Sequence, residues 1–186
     1  MSLRPINLKP IVAASLAIVW FSLPGQAQEA SVDMLYERLK SADAVDAARI
    51  EREIGMVRAQ SGSAAMDMLL KRGREAMEKE EFTAAIEHFT ALTDHAPDFP
   101  EGWYGRAQAF VQTGRIGPAV EDLNRALALN PRHYDAIFGL GTIFEQLEQT
   151  DKAYDAYQLV LGLHPHHEEA RSRLKRLERS VNGTKL

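Results

Sequence analysis

Residues 100–133 read PEGWYGRAQAFVQTGRIGPAVEDLNRALALNPRH, and this stretch decides the fold. Trp103, Ala107 and Phe110 stand at i, i+4 and i+7, the spacing of one helical face. After Gly114-Arg115-Ile116-Gly117, which reads as a turn, Val120, Leu123 and Leu127 form a second stripe. Pro118 falls in the first turn of that second helix, where a missing N–H is harmless. Pro131 ends it, because proline cannot donate the helical bond and crowds the preceding turn. The stretch is expected to be a helical hairpin. Small residues (Ala107, Ala119) let its two backbones approach, and large ones (Trp103, Leu123) fill the space beside them.

Working outward, the same pattern recurs every 34 residues, with Pro97, Pro131 and Pro165 in register. Three units follow without insertion: 66–99, 100–133 and 134–167. The fourth position holds Leu69, Trp103 and Ile137, and the eighth Gly73, Ala107 and Gly141. The twentieth holds Ala85, Ala119 and Ala153, and the twenty-fourth Phe89, Leu123 and Tyr157. This register resembles the tetratricopeptide repeat over 102 of the 186 residues. Two positions depart from it. The seventh is Arg72 and Arg106 before Leu140, and the twenty-seventh is Leu92 and Val160 in the outer units; both are expected to mark looser packing or lost partner surface.

The resemblance implies an all-α, right-handed solenoid of hairpins. It also implies a concave wall of first helices that binds a protein or peptide segment. Carried over position by position, the groove residues are Leu70, Tyr104 and Phe138, then Arg74, Gln108 and Thr142. His133 stands at the rim, and Asp67, Glu101 and Asp135 form an acidic edge. The Lys/Asn/Arg clamp with which some members hold a chaperone's C-terminal carboxylate is missing here, apart from Arg74.

A lone hairpin cannot bury its apolar face, so the stack needs covers at both ends. Residues 168–181 are expected to be a capping helix, with Ala170, Leu174, Leu177 and Val181 in one stripe. Its Arg171, Arg173, Lys175, Arg176 and Arg179 are expected to form a solvated face. Residues 182–186 read as a tail, and 64–181 as the repeat domain as a whole. Residues 28–63 read as a degenerate hairpin over the N-terminal face of the stack. Its first helix starts after Ser31, and its second carries Ile50, Ile54 and Val57.

The first 27 residues have the order of a secretory signal. Arg4 and Lys9 precede an uncharged apolar run, Ile11 to Leu23, and Gly25 and Ala27 are the small residues before a cut after Ala27. The run is shorter than the roughly 20 residues of a spanning helix, so no stable membrane insertion is expected after cleavage. A periplasmic location is expected if the host is Gram-negative.

Composition narrows the chemistry. Net charge is −4, and residues 1–27 carry no acid, so the remainder is more acidic still. Nucleic-acid binding, which needs a clustered basic surface, is not expected. With no cysteine, disulfides, thiol catalysis and Cys-based metal sites are excluded. No phosphate loop, nucleophile elbow or zinc-protease motif occurs, so neither an enzyme nor a cofactor is expected. The one alternative is a metal-handling protein that uses His133, His164, His166 and His167, because imidazoles near a proline turn can chelate. The oligomeric state and the partner's identity are open.

Overall fold

The three prolines stand at equivalent corners in the computed structural model, which describes the backbone of residues 24–183 and the side chains of 32–179. Nine helices and no strand occur among the described residues. They are α1 (Pro24–Ser41), α2 (Ala44–Arg58), α3 (Ala64–Glu78), α4 (Phe82–His95), α5 (Pro100–Gln112), α6 (Ile116–Leu129), α7 (Tyr134–Gln146), α8 (Thr150–Leu163) and α9 (Glu168–Gly183). The pairs α3/α4, α5/α6 and α7/α8 are the three hairpins, and each packs on the next. The all-α solenoid expected from the repeat is the observed fold.

Each second helix ends two residues before its proline, with one residue between. Ala96, Asn130 and His164 take φ of −134°, −135° and −135°, the extended backbone that a following proline imposes. The N–H groups of Phe99, His133 and His167 then close the turn onto the carbonyls of those residues at 3.1, 3.1 and 3.0 Å. Within each hairpin the first helix also ends in register. Glu80, Gly114 and Glu148 adopt φ of +59°, +72° and +57°. The N–H groups of Glu81, Arg115 and Gln149 reach back five residues to the carbonyls of Ala76, Phe110 and Phe144 at 2.9, 2.8 and 2.8 Å.

In the first and third units the core sets an aromatic ring against glycine. A methyl group on Gly73 or Gly105 would lie 2.4 or 2.5 Å from the ring of Phe89, so the ring fills space that only glycine leaves. Burying such a ring stabilises the fold by about 1.5–3 kcal/mol. Gly141 plays the same part for Tyr157, with a clearance of 2.8 Å.

Arg106 corrects the expectation of looseness at the seventh position. Its Nε and Nη2 donate to Asp122 at 2.7 and 2.9 Å, and its Nη1 donates to Thr93 at 3.0 Å. The guanidinium lies 5.0 Å from the Trp103 ring and ties the two helices of its unit together. Arg72, by contrast, is exposed.

The N-terminal hairpin is not where it was expected. Neither α1 nor α2 packs closely on α3, the helix that follows them. Leu35, Tyr36, Leu39, Ala47, Ile50 and Ile54 instead share one core with Tyr134, Ile137, Tyr157 and Val160 of the third unit and Ala170 and Leu177 of α9. The hairpin therefore doubles back along the edge formed by the later corners. The reason is apolar complementarity: the third unit presents Tyr134 and its neighbours there, and the stripe on α2 matches them.

Helix α1 begins at Pro24 rather than after Ser31, so the expected cut after Ala27 falls in its first turn. The charged start and apolar run of the expected signal lie outside the described residues, as do the side chain of Val181 and the last three residues. No helix among the described residues is long and apolar enough to cross a membrane. Helix α9 closes the stack on α8. Two of its cations are not simply solvated: Arg173 pairs with Glu145 of α7 at 3.2 Å, and Arg176 pairs with the same carboxylate.

Candidate functional site

Helices α5 and α7, the first helices of their hairpins, each carry an acid in the first turn, Glu101 and Asp135, at the same repeat position. A carboxylate is favoured there because the free N–H groups of a helix start carry partial positive charge. Into this pair comes Arg58 from the last turn of α2. Its Nη2 donates to Asp135 Oδ2 at 2.6 Å, and its Nε lies 3.1 Å from Glu101 Oε1. Its Nη1 is 3.3 Å from His133 Nδ1, and its cation lies 5.4 Å from the centre of the Tyr134 ring.

The cluster is dry. The Glu101 side chain is 2% exposed, Arg58 10% and His133 0%. His133 caps α7, because the Ala136 N–H donates to Nδ1 at 3.3 Å. With Nδ1 accepting, the ring hydrogen sits on Nε2, 3.2 Å from Glu101 Oε1. Arg74 completes the balance, its Nη2 donating to Glu101 Oε2 at 3.3 Å. Burial pushes the Glu101 carboxyl up. The close approach of the His133 ring and the charges of Arg58 and Arg74 outweigh this and hold it below the usual carboxylate range. Burial likewise opposes the charge on Arg58, but Glu101 and Asp135 keep its pKa above the ordinary arginine value.

The groove residues read from the repeat divide into those on a reachable surface and those inside. Arg74 and Gln108 are exposed, and Tyr104, Phe138 and Thr142 are half-buried. Gln108 Nε2 donates to the Tyr104 hydroxyl at 2.9 Å, and the Tyr104 ring lies 4.5 Å from His133. Arg74, Tyr104, Gln108 and His133 thus form one patch around Glu101. Phe138 sits one repeat further, 4.9 Å from the His167 ring and beneath Arg173 at 5.5 Å. Leu70 and His133 correct the groove reading, since both are buried. Leu70 belongs to the core around Phe89, and His133 lies under Arg58.

Of the histidines of the metal alternative, His164 and His167 are neighbours, with ring centres 5.5 Å apart, but among the described residues no third joins them. His133 caps α7, and His167 caps α9 in the same way, its Nδ1 accepting from the Ala170 N–H at 3.2 Å. His166 Nε2 is 3.0 Å from the Ala42 carbonyl oxygen, and His164 Nε2 is 3.6 Å from Glu51. Among the described residues no three side chains are arranged to hold a metal ion. Sequence reading missed Arg58 altogether. A cation ending an amphipathic helix is ordinary in sequence, and only the doubling back of α2 brings it to the two acids.

Between the hairpin and the first two corners lies a cleft of about 700 Å³, lined in part by Val32, Tyr36, Met66, Phe99 and Arg132. Arg58 and Glu101 form part of its wall.

Known proteins with this architecture are similar in both sequence and shape. A tetratricopeptide repeat-containing protein of Rhizobium etli is 25% identical over 155 residues, covering 83% of this chain and 76% of that protein. A heat-shock cognate co-chaperone of Aspergillus fumigatus is 28% identical over 147 residues, covering 76% of this chain but 43% of its own. Among solved structures, the first TPR domain of Spaghetti bound to an HSP90 peptide is 26% identical, with a TM-score of 0.60 over 63% of this chain and 93% of that one. The sequence pattern of the tetratricopeptide repeat matches residues 70–117 and 111–168, more than half of the chain. With three hairpins in register and the same corners in each, this chain belongs to the tetratricopeptide repeat family.

Proposed function

We propose that this chain is a periplasmic scaffold that docks a protein or peptide segment on its inner helices. The observation that carries the reading is the open patch of Arg74, Gln108 and Tyr104, continued along the wall by Thr142 and Phe138. Exposed hydrogen-bonding side chains beside half-buried aromatics suit a segment with apolar anchors, because the rings offer contact area at low entropic cost. The peptide held by the related Spaghetti domain supports docking as the activity. It does not carry over the ligand, since the clamp residues differ here. The address is read from residues 1–27 alone.

The test is photocrosslinking from position 108 in the native host. One defined set of protein adducts is expected, falling at least tenfold when Arg74→Ala and Tyr104→Ala are combined, while the circular dichroism stays helical. Adducts indifferent to those changes would remove the inner wall as the docking surface. Fractionation with N-terminal sequencing checks the address: a mature chain beginning at Gln28 in the periplasm is expected, and an intact N-terminus in the cytoplasm would overturn it.

A further inference from the structure

Arg58 meets partners 75 and 77 residues away in sequence, and it meets them as a ligand meets a receptor. One planar cation engages two carboxylates and an aromatic ring in a largely buried setting. Its helix has an apolar face on the stack (Ala47, Ile50, Ile54), while Val45 and Met56 stand exposed on the other side. Beside the apolar core that the hairpin shares with the third unit, polar ties join it to the corners: Arg132 with Asp33 and Glu37, Asn130 with the Tyr36 hydroxyl, His164 with Glu51, and His166 with the Ala42 carbonyl. The hairpin is joined to α3 by residues 59–63, where Gly62 takes φ of +83°. The 700 Å³ cleft opens onto the Arg58–Glu101 pair from one side.

We infer that this edge of the stack is a receptor for a helix carrying an arginine at its C-terminal end, that α2 is its resident occupant, and that a partner helix of the same chemistry binds by displacing α2. The inference rests on reading the stack as a docking scaffold and names the class of segment. Charge complementarity makes the choice. Glu101 and Asp135 face one guanidinium, whose fork reaches both, whereas a lysine is a single point of charge. An apolar helix without the cation would strip Glu101 of its closest counter-charge in a dry site, so it is rejected. Because α2 is tethered, it acts at a high effective concentration, and a free helix competes poorly until α2 is loosened.

The probe is a fluorescent peptide of residues 43–60, DAVDAARIEREIGMVRAQ, added to the full chain. Arg58→Glu in the chain sets a negative charge against Glu101 and Asp135 and releases the end of α2, which hydrogen exchange in α2 reports. The expected result is peptide binding at least tenfold tighter to the R58E chain than to the intact chain. Arg58→Ala in the peptide should lose at least tenfold of that binding, as should Glu101→Gln added to the R58E chain. Should R58E lose its helical spectrum, Arg58→Gln serves with the same readouts. Equal binding to both chains, insensitivity to the peptide's arginine, or unchanged protection of α2 would each overturn the inference. So would self-association of the intact chain that the peptide breaks, since the occupant would then be a second copy. The crosslinking from position 108 probes the open patch and needs no displacement, so the two readings fail separately.

Discussion

Glu80 and Glu148 hold backbone in the left-handed region where Gly114 stands in the middle unit. An L side chain there strains Cβ against the neighbouring carbonyl, at a cost of about 1–2 kcal/mol, part of which glycine returns through its looser unfolded chain. Both glutamates are exposed, and the turn needs only their N–H groups. Glu80→Gly and Glu148→Gly are each expected to raise stability by roughly 0.5–1 kcal/mol in urea unfolding. Gly114→Ala should move the other way. A drop in midpoint for either glycine variant would mean that the glutamate side chain contributes something beyond the turn. The middle turn was legible in Gly114. The outer two were not, because glutamate carries no mark of a left-handed position.

At the scale of the helix pair, Arg106 and Asp122 show how a polar tie replaces an apolar contact. Burial disfavours the charge on Arg106, but the hydrogen bonds to Asp122 outweigh it and keep its pKa raised. Removing the arginine alone leaves Asp122 buried without its partner. Arg106→Leu is therefore expected to cost roughly 1–3 kcal/mol. The double change Arg106→Leu with Asp122→Leu should regain most of that loss, because a buried pair traded for apolar side chains of similar size is near neutral. A four-variant denaturation cycle measures this. If the double variant is as weak as the sum of the singles, the pair is not coupled. The sequence showed an arginine at an apolar position but not its partner, which lies on the facing helix.

For the whole molecule the sensitive seam is the one between hairpin and corners. Burial lowers the pKa of His164, with Glu51 opposing it and His167 adding to it. The unfolded chain therefore takes up this proton first, near its ordinary value of about 6.5. Stability from the neutral ring is complete above that pH and is lost as pH falls through the lower folded value. A falling thermal midpoint between about pH 7 and 5 is expected, with His164→Asn flattening it, since Asn130 fills the equivalent corner. Glu101, also lowered, contributes in a separate window, below the ordinary glutamate value near 4.3. An Asn variant with the same slope as the parent would remove His164 as the cause.

The repeat, its hairpins and its corners were determined by sequence alone, because each depends on residues within one 34-residue unit: small residues at the close approach, a large apolar side chain facing them, a proline at the stop. Those are local constraints, and periodicity multiplies them. The place of the N-terminal hairpin was decided only by the tertiary structure. Its stripe of Leu35, Leu39, Ile50 and Ile54 is compatible with any apolar partner. Hydrophobic attraction has no direction, so the fit of shapes across the later corners, together with two acids waiting for one arginine, selected the third unit over the first.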